Sequence, residues 1–543
     1  MKTKKIAYGL AAAMALTLST SSCTNLLDDA YGKVISDQYN PTTEADVSYL
    51  VNAAYIGWRE TMLNWNGVVR MQELSADQDV IPARVGIGWV DGYIYKRWHQ
   101  HTWTIEDDGV HQSWNRTYAG ITTCNRLLSQ IEDGDIIIED DKKEKLISEL
   151  KVLRASYYSI LIDLYGNVPL VTDFKDESLP KQVSRKSLFD FIVTEITTNY
   201  ENLSDIPRGY YYGRMNKWVA HAILARLYLN AEVYINTPKW QECINECNAI
   251  IKFAEETGSY GLEPNQKNIF KTDNENSIET IFALPFDNIY VTVWNAFDFH
   301  CYSLAPEMQE TFQFLVRPWG GVCHIPQFVD SFDPDDKRWQ ENMYYGLQYN
   351  SVNGTEPLKR SDTGEDLVFT NTVPSIDEST PYDGYRWGKF EYAVGSTNVL
   401  SNDFPVYRYA DILMMKAESL MRLGQPGAGE LVTRVRMRAF DDPEKAKVTD
   451  AELEMGSNYD YGRRDTYKTT NEGGADIKYG RFLDELGWEF FQEGRRRTDM
   501  IRFGVFTTKS WLSHDKSDPT KNLYPIPNSA MLTNSNLKQN PGY

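Results

Sequence analysis

The chain has 543 residues, with 56 Lys plus Arg against 76 Asp plus Glu and a formal net charge of −20. That acidic balance disfavours nucleic acid or an anionic lipid surface as the main partner and leaves neutral ligands open. After the first 18 residues no uninterrupted apolar run approaches the roughly 18 residues of a transmembrane helix, so the body reads as soluble.

At the start, Lys2, Lys4 and Lys5 precede an apolar stretch over 6–18, and Thr20-Ser21-Ser22 leads into Cys23. This is the pattern of a secretory signal peptide over 1–22, and small residues directly before a cysteine predict lipidation of Cys23. Each buried methylene contributes about 0.8 kcal/mol and two acyl chains anchor stably, so a lipidated Cys23 holds the protein on a membrane without a spanning helix. The segment 23–40 adds a polar, irregular tether to that cysteine.

Helical periodicity begins next. Val47, Leu50, Val51, Ala54, Tyr55, Trp58 and Met62 recur at three- and four-residue steps, as do Trp114, Tyr118, Ile121, Leu128 and Ile131. A third stripe runs from Leu146 to Leu164 and stops at Gly166 and Pro169, and a fourth covers 188–200. Segments 218–234 and 240–254 read as a helical hairpin across Thr237-Pro238, and 409–423 with 429–440 as another. Hairpins of this size resemble tetratricopeptide repeats in a degenerate form. The scaffold therefore occupies 41–259 and 406–543. Between them, over 260–405, periodicity is lost, turn residues accumulate and aromatics crowd in, which marks a loop-rich subdomain suited to ligand chemistry.

Six cysteines include Cys23, leaving five, an odd number for a disulfide framework. Cys243 and Cys247 share one helix face and read as small buried apolar side chains, while Cys301 and Cys323 could pair across the aromatic segment. His99, His101 and His111 form the main histidine cluster, read as a hydrated polar stretch because no carboxylate or cysteine completes a familiar metal spacing. Asp333, Asp335 and Asp336 lack the ordered pattern of a calcium loop. No metal or cofactor is expected.

Four ordered segments carry a resemblance. They are Leu153-Arg154-Ala155-Ser156-Tyr157-Tyr158 through Asp163-Leu164-Tyr165-Gly166-Asn167-Val168-Pro169-Leu170; Tyr407-Arg408-Tyr409-Ala410-Asp411 with Lys416-Ala417-Glu418; Glu489 to Gly494 with Arg495, Arg496 and Asp499; and Tyr524-Pro525-Ile526-Pro527 with Gln539-Asn540-Pro541-Gly542. Together they resemble the SusD-like (RagB/SusD) family over essentially the whole mature chain. The resemblance implies an all-α fold in which about four tetratricopeptide-like helix pairs support a loop-rich subdomain. It further implies a lipoprotein on the extracellular face of the outer membrane of a Bacteroidetes-type bacterium, one that binds a glycan and caps a SusC-like TonB-dependent transporter. Arg154, Arg495, Arg496, Glu489 and Glu493 read as scaffold, with spacing that suits salt bridges.

A neutral polysaccharide offers a binder apolar C–H faces and a rim of hydroxyls, which call for exposed aromatic rings and planar polar forks. The chain holds 14 Trp and 34 Tyr. Trp58, Trp114, Trp218 and Trp488 lie in helical stripes and read as core. Trp89 is flanked by glycines in a loop, while Trp294 and Trp319 belong to the non-periodic segment. By relative position these three match the aromatic platform that the family resemblance implies. Asp77, Asp79, Arg84 and Asn295 are the candidate polar supports and Tyr93 a further aromatic, with Trp98, Tyr382, Tyr385 and Trp387 in second rank. The expected ligand is a β-linked plant glucan such as xyloglucan or another hemicellulose, bound without catalysis. A surface glycoside hydrolase, with two carboxylates about 5–9.5 Å apart, is one alternative, and an accessory lipoprotein for peptide import is the other. No G-x-S-x-G, H-E-x-x-H, Walker A or dinucleotide glycine pattern is present.

Overall fold

Apolar residues that recur every three or four positions fold as helices because that spacing gathers them on one face. The computed structural model, which describes residues 44–86, 89–291 and 296–543, has helices where those stripes predict them. The signal segment, Cys23 and the tether lie outside the described residues. In chain order the helices are α1 (Glu44–Leu63), α2 (Val68–Leu74), α3 (Ile94–His99), α4 (Asp108–Asp133), α5 (Asp140–Leu164), α6 (Arg185–Thr197), α7 (Lys217–Leu229) and α8 (Trp240–Thr257). After the loop-rich segment come α9 (Tyr409–Arg422), α10 (Ala428–Arg436), α11 (Gly480–Phe490) and α12 (Arg496–Arg502). Shorter helical turns lie between them. No helix among the described residues is long and apolar enough to cross a membrane.

Neighbouring helices pack in sequence: α1 on α4, α4 on α5 and α5 on α6, then α7 on α8, α8 on α9 and α9 on α10. This is the helix-on-helix stacking of a tetratricopeptide-like scaffold in an all-α fold, with four pairs in α1/α4, α5/α6, α7/α8 and α9/α10. Glycine permits the close approach of α4 to α5, since a Cβ on Gly120 would enter the Tyr157 ring. Trp58, Trp114, Trp218 and Trp488 are all buried. The stripe predicted as one helix over 218–234 breaks at Asn230, whose amide donates to its own Arg226 carbonyl at 2.9 Å and so competes with the helical ladder. Asn216 and Ser184 cap α7 and α6 by accepting from backbone N–H groups of the first turn.

Strands are few and short. β1 (Asp79–Val80) pairs antiparallel with β2 (Cys323–His324), which ties the stretch after α2 to the loop-rich segment. A second antiparallel pair joins Thr280–Leu284 to Phe404–Arg408, with every residue of both strands buried. It closes the base of the loop-rich segment against the scaffold.

Charged residues of the four segments that carry the resemblance join others in buried ion networks. Arg408 donates to Glu279 at 2.8 Å, Glu489 at 2.7 Å and Glu493 at 2.8 Å. Arg438 also meets Glu489, and Glu485 gathers Arg338, Arg436 and Arg481. Arg154 pairs with Glu195, Arg495 with Asp411 and Asp499, and Arg496 with Asp77. Their role is structural, but most partners come from distant segments rather than from the same helix.

All five cysteines past residue 43 are free and buried, so Cys301 and Cys323 remain separate thiols. Cys323 instead faces the Val80 carbonyl across the β1–β2 pair. The histidine reading needs correcting: His99 and His101 are buried rather than hydrated, and His101 lies 4.3 Å from His514, which stacks on Trp511 at 3.7 Å. Burial holds His99 down at about 4 and His101 at about 3. His111 stands apart on α4 beside Asn115. Among the described residues no group of three His, Cys, Asp or Glu is placed to hold a metal. Asp335 pairs with Lys445, and Asp336 caps a short helix and pairs with Arg338.

Candidate functional site

Three half-buried tryptophans meet where the end of α1, the loop after β1 and the loop before β2 converge. Trp89 and Trp319, both singled out from sequence, have ring centroids 5.8 Å apart. The third is Trp65, which lies 6.4 Å from Trp89 and 6.1 Å from Trp319. The rings are inclined to one another by 50–75°, so they form a compact faceted cluster rather than one flat plane. Trp294 and Asn295, expected beside them, lie outside the described residues.

Each tryptophan is held by its own local chemistry. Trp65 sits in Asn64-Trp65-Asn66-Gly67, where the Asn64 side chain accepts from the Trp65 N–H at 2.7 Å and Arg116 donates to the Trp65 carbonyl at 2.9 Å. Asn66 takes φ 55°, a left-handed conformation that asparagine tolerates. Trp319 is anchored by its N–H to the Cys301 carbonyl at 2.7 Å. Trp89 packs against the backbone at Gly321, where a methyl group would overlap its ring, so glycine is required by the contact itself.

A second layer fixes the floor. The Arg70 guanidinium stands 4.7 Å from the Trp65 ring and 4.2 Å from the Tyr302 ring, and pairs with buried Asp298. Burial opposes charge on Arg70, but Asp298 outweighs it and holds the guanidinium above its usual range. Two cation–π contacts at a desolvated site contribute on the order of 1–2 kcal/mol each. Tyr95 and Tyr302 back Trp89 at 5.4 and 5.8 Å, and burial pushes both phenols up, so they stay neutral. Tyr95 donates to Asn66 and Asp91, both at 3.2 Å, linking the Trp65 turn to the Trp89 loop.

Three of the four polar residues predicted as ligand supports, Asp77, Asp79 and Arg84, serve the frame instead. Asp77 is fully buried, accepting from Arg496 at 2.7 and 2.9 Å and from the Tyr461 hydroxyl at 2.6 Å. Asp79 is equally buried, between His324 at 2.8 Å and the Trp387 indole at 2.7 Å. Neither reaches solvent, because the β1–β2 pair tucks this stretch beneath the loops. Arg84 is buried as well, and donates to the carbonyls of Gly321, Thr380 and Asp383 at 2.7–3.2 Å, which locks the backbone that carries Trp319. Tyr93 is 53% exposed at the rim of the Trp89 loop. Of the second-rank aromatics, Trp98, Tyr382 and Trp387 are buried, and Tyr385 is half-buried elsewhere.

The fold is a tetratricopeptide-like helical-repeat scaffold that carries an aromatic cluster on its loops. The model of the SusD family matches residues 324–543, and one described as starch-binding, associating with outer membrane, matches 33–229. The chain belongs to the SusD-like family. It is 25% identical to the starch-binding protein SusD of Bacteroides thetaiotaomicron over 490 residues, covering 81% of this chain and 80% of that protein. Among solved structures, B. fragilis NanU superposes with a TM-score of 0.70 at 19% identity, covering 94% of this chain and 99% of NanU. Surface glycan-binding protein A from Bacteroides fluxus gives 0.66 at 18%, covering 93% and 100%.

Proposed function

We propose that this protein is a non-catalytic surface lipoprotein of the outer membrane that captures a neutral glycan on the Trp65–Trp89–Trp319 cluster and delivers it to a SusC-like TonB-dependent transporter for nutrient uptake. The observation that carries this reading is the cluster itself: three half-buried indoles on a rigid floor of Arg70, Tyr95 and Tyr302. Indole faces match the C–H faces of pyranose rings, and a preformed floor removes most of the ordering cost of binding. The starch- and glycan-binding names of the relatives support the same ligand class. Lipidation of Cys23 would supply the anchor and keep the binding domain near its transporter at high effective concentration.

Within that class, xyloglucan or another β-linked hemicellulose is the first ligand to test. The mutual inclination of the rings suits a short epitope or a curved chain as well as a flat one, so an α-glucan belongs in the same screen. Calorimetry against a panel of plant and host glycans decides the class, and a reducing-end assay run alongside must stay at background. Released reducing ends would instead support the hydrolase. Trp319→Ala and Trp65→Ala should each weaken binding by about 2 kcal/mol or more, roughly thirtyfold in Kd, as anchor aromatics do. Unchanged affinity in both variants would move the site elsewhere.

A further inference from the structure

A second aromatic group lies apart from the tryptophan cluster. The short strands Met343–Tyr344 and Arg386–Trp387 pair Met343 with Trp387 and Tyr344 with Arg386. Tyr344 turns inward and stacks on Tyr392 at 5.8 Å. Successive strand residues point to opposite sides, so Tyr345 turns outward, and the register carries it opposite Tyr385. The two rings are 5.4 Å apart, and Trp339 flanks Tyr345 at 5.1 Å. Tyr345 is 39% exposed and its neighbours are half-buried.

Beside this row opens a cleft of ≈ 520 Å³, lined among others by Gln327, Asp330, Asn371, Asp460 and Arg464. Asp330 joins the two features. It accepts from the Asn371 amide at 2.7 Å, and the Thr370 carbonyl, next to Asn371, accepts from the Gly384 N–H, next to Tyr385, at 2.9 Å. Gln327 is 7% exposed; its amide nitrogen donates to the Gly462 carbonyl at 3.0 Å, while its Oε1 has no partner. Arg464 donates to Asp460 at 2.6 Å and, through its other terminal nitrogen, to the Arg463 and Thr470 carbonyls. Aromatic faces beside amide, carboxylate and guanidinium forks are complementary to a polyhydroxylated ring, and the carboxylates disfavour an anion.

We infer that the Trp339–Tyr345–Tyr385 row and the adjoining Gln327–Asp330–Asn371 cleft form a second glycan-binding site, which takes a further stretch of the same polysaccharide chain that the tryptophan cluster holds. This rests on the glycan-capture reading above. The two sites are close along the backbone: only four residues lie between Trp319 and His324, at most about 18 Å of extended chain, and the His324 N–H donates to the Tyr385 carbonyl at 2.8 Å. One polysaccharide can therefore engage both, and the second contact gains affinity by avidity rather than by its own strength.

The test compares full-length soluble protein with xyloglucan and starch polymers and with short oligosaccharides cut from each. In Tyr345→Ala/Gln327→Ala, affinity for the bound polymer should fall about tenfold or more, while the short oligosaccharide keeps its wild-type Kd at the tryptophan cluster. In Trp89→Ala/Trp319→Ala, weak polymer retention in an affinity gel should persist and vanish when Tyr345→Ala is added. Circular dichroism and melting curves confirm that each variant is folded. Polymer affinity unchanged in Tyr345→Ala/Gln327→Ala overturns the second site and leaves the first standing. Absence of binding to any glycan by the wild-type protein overturns both.

Discussion

Two regions use charge and aromatic rings in opposite ways. Around Arg408 the ions are buried and answer one another: Arg408, Arg438, Arg338, Arg436 and Lys389 face Glu279, Glu485, Glu489 and Glu493, all nearly or wholly excluded from solvent. Around Trp65, Trp89 and Trp319 the ions lie beneath and the rings face outward. The first region spends its charge on holding helices to the loop-rich segment. The second uses Arg70 and Arg84 to fix a surface whose apolar faces stay partly uncovered. Motif residues therefore report the frame, and the tryptophans proposed to meet the ligand lie outside every motif.

The sharpest way to break this contrast is to remove one ion from the network. Arg408→Met leaves Glu279, Glu489 and Glu493 short of a shared partner, and uncompensated buried charge costs about 3–5 kcal/mol. Denaturant unfolding should show that loss, while the folded fraction keeps its glycan affinity. A drop in affinity without a drop in stability would place the network in the site.

Acid probes the same region without mutation. Burial raises the Glu485 carboxyl, but Arg481, Arg436 and Arg338 outweigh it and hold the group at about 2. Its folded pKa is depressed, so its contribution is complete above the unfolded value near 4.3 and is lost as pH falls towards 2, about 3 kcal/mol in all. His99, held at about 4 by burial, is also depressed. Its contribution is present above about 6.5 and is lost as pH falls through 4, because the unfolded chain takes up the proton first. Stability should therefore decline in two stages, and because His101, held at about 3, and His300, held at about 4, also contribute to the earlier one, His99→Gln should reduce it without removing it in melts recorded from pH 7 to 3.

The scaffold was readable because its signal is periodic and local: the stripes at 47–62, 114–131 and 146–164 each became a helix. Asp77, Asp79 and Arg84 were misread for the opposite reason. Their partners Arg496, His324, Trp387 and Gly321 lie hundreds of residues away, and no local pattern announces that a polar stretch will be buried by a two-residue strand pair. Trp65 was missed although it carries the signal that singled out Trp89, an indole flanked by turn residues just past a helical stripe. The stripe ending at Met62 drew attention to the helix rather than to the Asn64–Gly67 turn that follows it.

On the aromatic side, Gly321→Ala is a smaller perturbation than losing a network ion. The added methyl overlaps the Trp89 ring and meets the Tyr302 carbonyl at 3.0 Å, so the indole must move. Overpacking of this kind costs about 1–3 kcal/mol. Unlike Arg408→Met, it should weaken glycan binding in the folded protein and shift tryptophan emission. Stability lost with binding intact would mean that Trp89 is floor rather than contact.

The smallest expected effect is at the rim. Tyr93 is 53% exposed and holds φ 62°, a left-handed conformation that costs a side-chain-bearing residue roughly 1–2 kcal/mol. Glycine adopts it freely, although it also gains entropy in the unfolded chain, and the two terms oppose each other. Tyr93→Gly should therefore leave the melting temperature nearly unchanged, unlike Arg408→Met and Gly321→Ala. Because stability stays constant, calorimetry on this variant reads contact alone. A severalfold loss of glycan affinity extends the binding face from the tryptophan cluster to its rim. Unaltered affinity confines it to the three indoles that Arg70 and Gly321 hold in place.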